Sequence, residues 1–321
     1  MRRMWLAAAV FSVLFLVGFA AARVENHRPP VVNRAQIMMG TVVEIEVHGL
    51  SEASANQAIN AAFAEIQRVE NQLNGATHFE NGALIPPTEI DTLLLACDEY
   101  WHLSNGAFDC NLGAVIALWG FTNHTPSIPP DHVLAEARRN SGWQVFTRSG
   151  EGAWWLSRTA KVNIGGIGKG YAVDRAIAVL AVHGVRKGLV NAGGDLRTIG
   201  SGWTAGIQHP RQADLLVGKL AVNDMAVATS GDYEQYFIHN GLRYHHILDP
   251  LTGQPARGLQ SVTVIAPTCI QADALSTTIF VLGKDAGLAF VESLPDVEAL
   301  LIAESGEKHF SSGFGFYWQG D

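Results

Sequence analysis

The amino-acid sequence predicts an α+β fold. Three observations carry the prediction. Two long helix-patterned segments stand early in the chain, hairpin-patterned strands dominate its second half, and no regular strand–helix–strand repeat joins them into a doubly wound parallel sheet. With 321 residues, 48% hydrophobic and 16% charged, the chain is long and apolar enough to bury a real core. A net charge of -8 and the lack of any Lys/Arg run exclude a nucleic-acid footprint, while leaving room for a local phosphate site.

The elements follow in order. Met1-Arg2-Arg3 precedes an apolar run from Met4 to Ala22 that ends in Ala20-Ala21-Ala22, so residues 1–22 read as a signal peptide or an uncleaved signal anchor. No cysteine lies there to carry a lipid, and the rest of the chain is expected to be exported. Residues 23–35 read as a linker, polar from Glu25 to Pro30, and residues 36–321 as the functional domain. Thr41 to Val47 alternates as a strand. Ser51 opens a helix carrying Ile59, Phe63, Ile66, Val69 and Leu73 to its stop at Gly75. A second helix starts near Thr88, carries Ile90, Leu93, Leu94, Cys97 and Trp101, and ends at Asn105-Gly106. Residues 122–130, Pro-rich and followed by a helix start at Asp131, offer a boundary between lobes. Just before it, Trp119 and Phe121 either stack on a planar ligand or pack in the core.

The chemistry gathers around Lys161 to Asp174, where Gly165, Gly166, Gly168 and Gly170 lead from a short strand into a helix. Such a turn is either a tight connection or an anion cradle, with glycines admitting a phosphate to backbone N–H groups and Lys169 within reach. The spacing matches neither G-x-G-x-x-G nor the P-loop. A second glycine turn, Asn191 to Asp195, follows a strand. Ala226 to Tyr233 then leads into a hairpin turning at Asn240-Gly241 and ending in His245-His246-Ile247-Leu248-Asp249-Pro250. Adjacent strand histidines face opposite sides, so these two do not form one metal site. On the helix from Ile270 to Phe280, Asp273 and Thr277 project from one face. A carboxylate and a hydroxyl suit Mg²⁺ on a phosphate; the alternative is an acidic helix start and a threonine bonding back to a carbonyl. Cys97, Cys110 and Cys269 give no disulfide framework or zinc pattern and read as small core residues.

Taken together, Met39-Gly40-Thr41, Gly106-Ala107-Phe108-Asp109, Leu118-Trp119-Gly120-Phe121, Asn163 to Asp174, Asn191 to Asp195, Thr229 to Tyr233, His246 to Pro250 with Thr252-Gly253, and Ala272-Asp273-Ala274 with Thr277 resemble the FAD:protein FMN transferase (ApbE) family, over about residues 36 to 315. The resemblance implies a T-fold-like core with a smaller lobe, periplasmic location, FAD as substrate and Mg²⁺ as cofactor. It implies that Asp273, Thr277 and the Gly166 carbonyl hold the metal, and that Gly165, Gly166, Gly168 and Lys169 line the FAD phosphates. Met39, Gly40, Thr41, Trp119, Asn191, Gly193, Gly194, Asp195, Thr229, Ser230 and His246 border the nucleotide in the same reading. His246 is then the base, oriented by Asp249, for FMN transfer to a threonine or serine hydroxyl with release of AMP. The acceptor would be an exported or membrane flavoprotein, for example a subunit of a quinone or ferredoxin redox pump. Mg²⁺-dependent hydrolysis of FAD and flavin binding without turnover are the alternatives. The chain departs from the family in two places. Asn74 to Leu84 lacks the tyrosine-containing motif after the first long helix, and the lipobox cysteine is absent.

Overall fold

Period-two alternation decides which strands are covered on both faces and which lie at an edge. In the computed structural model, residues 30–75, 78–86, 90–121 and 125–320 are described. Strands β1 (Val31–Met38) and β2 (Thr41–His48) form a hairpin through Met39 and Gly40, whose φ values of 52° and 72° suit a two-residue turn. Helix α1 (Glu52–Gly75), short strands β3 (His78–Phe79) and β4 (Leu84–Ile85), and helices α2 (Asp91–Leu103), α3 (Gly113–Trp119) and α4 (Asp131–Arg139) follow. Strands β5 (Phe146–Arg148), β6 (Trp154–Leu156) and β7 (Ala160–Lys161) then lead to helix α5 (Gly168–Val182). After it come β8 (Lys187–Ala192), β9 (Asp195–Ile199), β10 (Trp203–His209), β11 (Gln212–Val222), β12 (Ala226–Gly231), β13 (Tyr236–His239), β14 (Leu242–His245) and β15 (Leu259–Ala266). Helices α6 (Cys269–Leu282) and α7 (Lys284–Glu292) and strands β16 (Glu298–Ala303) and β17 (Lys308–Phe310) close the chain.

Eight strands make one sheet in the order β1-β2-β8-β9-β12-β15-β16-β17, with every pair antiparallel. All eight residues of β15 are buried, because both faces are covered. Ala226, Ala228, Val262, Val264, Ala299 and Leu301 point to the main core with α5 and α6. Their neighbours Val227, Ile265, Leu300 and Ile302 point to the opposite face and pack with Ile207, Val217, Leu220 and Phe314. Helix α6 is buried nearly all round, so Asp273, Ser276 and Thr278 are polar groups inside the core. Thr278 Oγ1 and Ser276 Oγ satisfy themselves on the carbonyls of Ala274 and Asp273, at 2.8 and 2.9 Å.

The α+β expectation holds, and three details differ from it. The expected linker ends earlier, because Val31 to Met38 pair along their whole length with β2; Arg34 and Gln36 are exposed positions of an edge strand, and their polarity disguised it. Residues 125–130 do not separate lobes. Helices α3 and α4 on either side share one apolar cluster with Leu248, and Trp119 O accepts the Ser127 N–H at 3.1 Å. Cys97 and Cys110 are a disulfide, with only Cys269 free. Buried apolar surroundings suit either state, so the neighbours of each cysteine could not reveal the pair. Residues 1–22, Thr88 and residues 122–124 lie outside the described residues. No helix among the described residues is long and apolar enough to cross a membrane.

Candidate functional site

A cavity of about 610 Å³ opens where the glycine turn before α5, the β1–β2 and β8–β9 turns, the end of β12, helix α6 and the His246–Pro250 segment converge. This size is within the range of small-molecule sites. At one end, polar groups face one another. Asp273 Oδ2 accepts the Gly170 N–H at 2.9 Å, and Ser230 Oγ lies 2.8 Å from Ser276 Oγ and 3.2 Å from Thr277 Oγ1. A Cβ on Gly166 would sit 3.3 Å from Thr277 Oγ1, so the turn runs directly against this cluster. Lys169 is paired with Asp195 beside it. Burial, and then the Asp195 carboxylate, push the Asp273 acid up to about 7. Burial draws the Lys169 ammonium down, but Asp195 and Asp273 outweigh it and hold the ammonium above its usual range.

Helix α5 reaches this position by close approach. A Cβ on Gly170 would overlap the Cys269 carbonyl oxygen at the start of α6, and none of Gly165, Gly166, Gly168 and Gly170 has a positive φ. Gly170 therefore serves proximity, and none of the four is required for left-handed backbone. Asp174 fixes the same junction. Its Oδ1 and Oδ2 accept the N–H groups of Cys269 and Ile270, both at 2.9 Å, and its Oδ1 also takes Arg197 Nη1 at 2.6 Å. A carboxylate on α5 thus caps α6 and sets the rotation that aims Asp273 at Gly170.

The opposite wall is apolar. Leu112, Ile116, Phe121, Ile247 and Leu248 line it, backed by Trp119, Phe237 and Tyr244, whose rings stack within 6.5 Å of one another. His246 lies between the walls with its ring at 73° to that of Phe121, and its buried Nδ1 has no hydrogen-bond partner. Burial, then neighbouring His245, lower its pKa to about 4, so the imidazole is neutral near pH 7. The donor set at the polar end is one carboxylate and three hydroxyls, from Asp273, Ser230, Ser276 and Thr277. These hard oxygens fit Mg²⁺ sharing its shell with a phosphate, and do not fit zinc.

Residues 39–301 match the ApbE family. The FAD:protein FMN transferase of Treponema pallidum is 30% identical, over 96% of this chain and 94% of its own length. The chain belongs to the ApbE family. One of the FAD:protein FMN transferases of Klebsiella pneumoniae is 28% identical over 88% of this chain and 92% of its own. Among solved structures, the ApbE protein of Thermotoga maritima superposes with a TM-score of 0.79 at 32% identity, covering 90% of this chain and 99% of that one. The flavin transferase ApbE of Vibrio cholerae gives 0.78 at 26% identity, again over 90% and 99%.

Of the residues predicted for this ApbE site, Met39, Gly40, Thr41, Gly165, Gly166, Gly168, Lys169, Gly193, Thr229, Ser230, His246, Asp273 and Thr277 line one cavity. Five others do not reach it. Trp119 is fully buried behind the apolar wall and donates from Nε1 to the Gly253 carbonyl at 2.8 Å; α3 turns its ring inward. Asn191 spends its Oδ1 on the Gly194 N–H, at 2.9 Å, closing the β8–β9 turn. Gly194 itself serves that turn, with φ 104°, and not the cavity wall. Asp195 acts from behind, through Lys169. Asp249 does not touch His246. Its two carboxylate oxygens take the Leu251 N–H at 2.8 Å and the Thr252 hydroxyl at 3.0 Å, so it organises the turn that follows. Sequence reasoning missed Glu70, Asp109, Glu234 and Gln235 in the wall, and Asp174 beneath it. Asp174 left no local signal because its partners lie 95 and 96 residues away.

Proposed function

We propose that this chain transfers FMN from FAD to a threonine or serine hydroxyl of an exported or membrane flavoprotein, releasing AMP, with Mg²⁺ bound by Asp273, Thr277 and the Gly166 carbonyl. The observation that carries the reading is the arrangement of one cavity. An oxygen cluster and a lysine face a glycine turn at one end, and a neutral histidine stands between that end and an apolar wall. The names of the relatives supply the substrate pair. When bound, Mg²⁺ would supply Lewis-acid polarisation of the pyrophosphate. The residues do the rest. Lys169 and the turn bind the phosphates, the apolar wall receives the flavin and excludes water, and the His246 imidazole takes the acceptor hydroxyl proton. That oxygen forms a bond to the FMN-side phosphorus while the bond from this phosphorus to the bridging oxygen breaks. AMP leaves with the bridging oxygen, and the proton passes from His246 to solvent.

Work outside the cytoplasm is part of the proposal. Two features support it: the apolar run from Met4 to Ala22 and the Cys97–Cys110 disulfide, a bond that persists in oxidising compartments. The decisive assay incubates the purified protein with FAD and Mg²⁺, with and without a candidate acceptor flavoprotein. Acceptor-dependent AMP release and a flavin-labelled acceptor are expected. AMP release that ignores the acceptor would establish hydrolysis in its place, and no release with retained FAD would leave a binding protein.

A further inference from the structure

The disulfide stands at the edge of the cavity. Cys97 lies on α2, anchored in the core by Leu93 and Leu94, and Cys110 follows Phe108 and Asp109, both of which line the cavity. The segment from Ser104 to Leu112 has no regular secondary structure, so no ladder or helix fixes it. Yet this segment carries the entry to the glycine turn. The Cys110 carbonyl accepts the Asn163 N–H at 2.6 Å, and Asn163 Oδ1 accepts the Gly165 N–H at 2.9 Å. Asn111 Oδ1 accepts the Lys161 N–H at 3.0 Å, while Asn111 Nδ2 donates to the Gly142 carbonyl at 3.0 Å. Phe108 closes the arrangement, its ring edge 3.1 Å from where a Gly166 Cβ would stand.

We infer that the Cys97–Cys110 disulfide is a positioning element for the phosphate end of the cavity: it pins Phe108 to Asn111 to α2, and those residues hold Lys161 to Gly166 in place. The physical reason is the irregular backbone between them. A covalent tie over a separation of 13 residues removes the freedom that a ladder would otherwise remove, and the Cys110 carbonyl passes the restraint to Asn163. Opening the bond leaves the remote core intact and loosens the turn. The affinity for a pyrophosphate ligand then falls, and turnover at saturation is little changed. The ligand named in the test, FAD, rests on the function proposed above; the restraint itself does not.

The test compares the oxidised protein with the same protein reduced by a dithiol and with a Cys97→Ser/Cys110→Ser variant. Reduction breaks the S–S bond and adds two electrons and two protons, giving two thiols, while dithiothreitol closes to its cyclic disulfide; thiol titration of the unfolded protein verifies the state. Opening the bond is expected to speed amide exchange selectively at residues 161–170, with β15 unchanged. The FAD dissociation constant in Mg²⁺ should rise about 10-fold, and kcat at saturating FAD should stay within about twofold. Phe314→Leu, placed in the core on the far face of the sheet, controls for general loss of stability and should leave FAD affinity unchanged. Unchanged exchange at 161–170 on opening the bond overturns the inference, as does equal weakening of FAD binding by Phe314→Leu. Should FAD bind neither form, the flavin reading fails while amide exchange still decides the positioning role.

Discussion

The two walls of the cavity are built by different means. The polar wall hangs on charged and hydroxyl groups inside the core: Asp174 caps α6, Gly170 lets α5 touch it, and Asp273, Ser230 and Thr277 meet at the crossing. The apolar wall is a stack of rings on α3, β13 and β14, held by one buried indole hydrogen bond. The difference teaches where each kind of change should register. On the polar wall a side chain is a ligand or fixes one, so loss should appear in the chemistry. On the apolar wall the rings behind the surface should register in stability alone.

The sharpest way to break that contrast is Asp273→Ala. Removing the single carboxylate of the oxygen cluster is expected to cut Mg²⁺-dependent AMP release by about 1000-fold, the scale of several kcal/mol of lost charge stabilisation. The fold should survive, because the variant loses the bond to Gly170 but also relieves the repulsion from Asp195; the melting temperature should move little. Near-normal turnover at ordinary Mg²⁺ would reject the metal assignment.

Acid unfolding tests the floor beneath the cavity. His245 Nε2 lies 2.9 Å from the Ala256 carbonyl, and burial lowers its pKa from 6.5 to about 4. A depressed pKa means that the unfolded chain takes the proton first. The stabilisation is therefore present above pH 6.5 and is lost as pH falls toward 4. At most about 3 kcal/mol is at stake. Urea unfolding at pH 7 and pH 4.5 should show His245→Gln losing about 2 to 3 kcal/mol less than the wild type over that interval. Parallel losses would remove His245 as the source.

Helix contact at the polar wall is tested by two alanines. Gly170→Ala, which forces a methyl into the Cys269 carbonyl, should cost about 2 to 3 kcal/mol and weaken FAD binding with it. Gly168→Ala meets only Leu73 and Ile164, at 3.4 and 3.6 Å, and should be nearly neutral in thermal unfolding. Equal effects on thermal unfolding would dissolve the distinction between the two glycines. The smallest effect belongs to the apolar wall. Trp119→Phe leaves the buried Gly253 carbonyl without its indole donor and should cost about 1 to 2 kcal/mol, with FAD affinity unchanged within about twofold.

The pieces of the polar wall were visible as a glycine turn, a carboxylate and hydroxyl four residues apart, and a histidine at a strand end, but each had a structural alternative that only the family resemblance outweighed. The aromatic pair at 119 and 121 was only half legible. Phe121 faces the cavity and Trp119 does not, since the two sit on either side of the left-handed Gly120 that ends α3. Nothing local to residue 119 states which way that turn rotates the indole.

Composition, period and turn chemistry determined by themselves the α+β class, the helices after Ser51 and before Asn105 and the Asn240-Gly241 hairpin. All depend on interactions within a few residues, which a sequence displays directly. Which segments converge on the site came from the family resemblance. Tertiary structure alone decided the Cys97–Cys110 pair, the capping of α6 by Asp174, the diversion of Asp249 and Asn191 into their own turns, and the strand hidden in residues 31–35. In the pairings among these, one partner is remote in sequence. In the two turns, the choice between serving the backbone and serving a ligand is made by where neighbouring elements place the side chain. Both are settled only when the sheet closes and α5 comes to rest on α6.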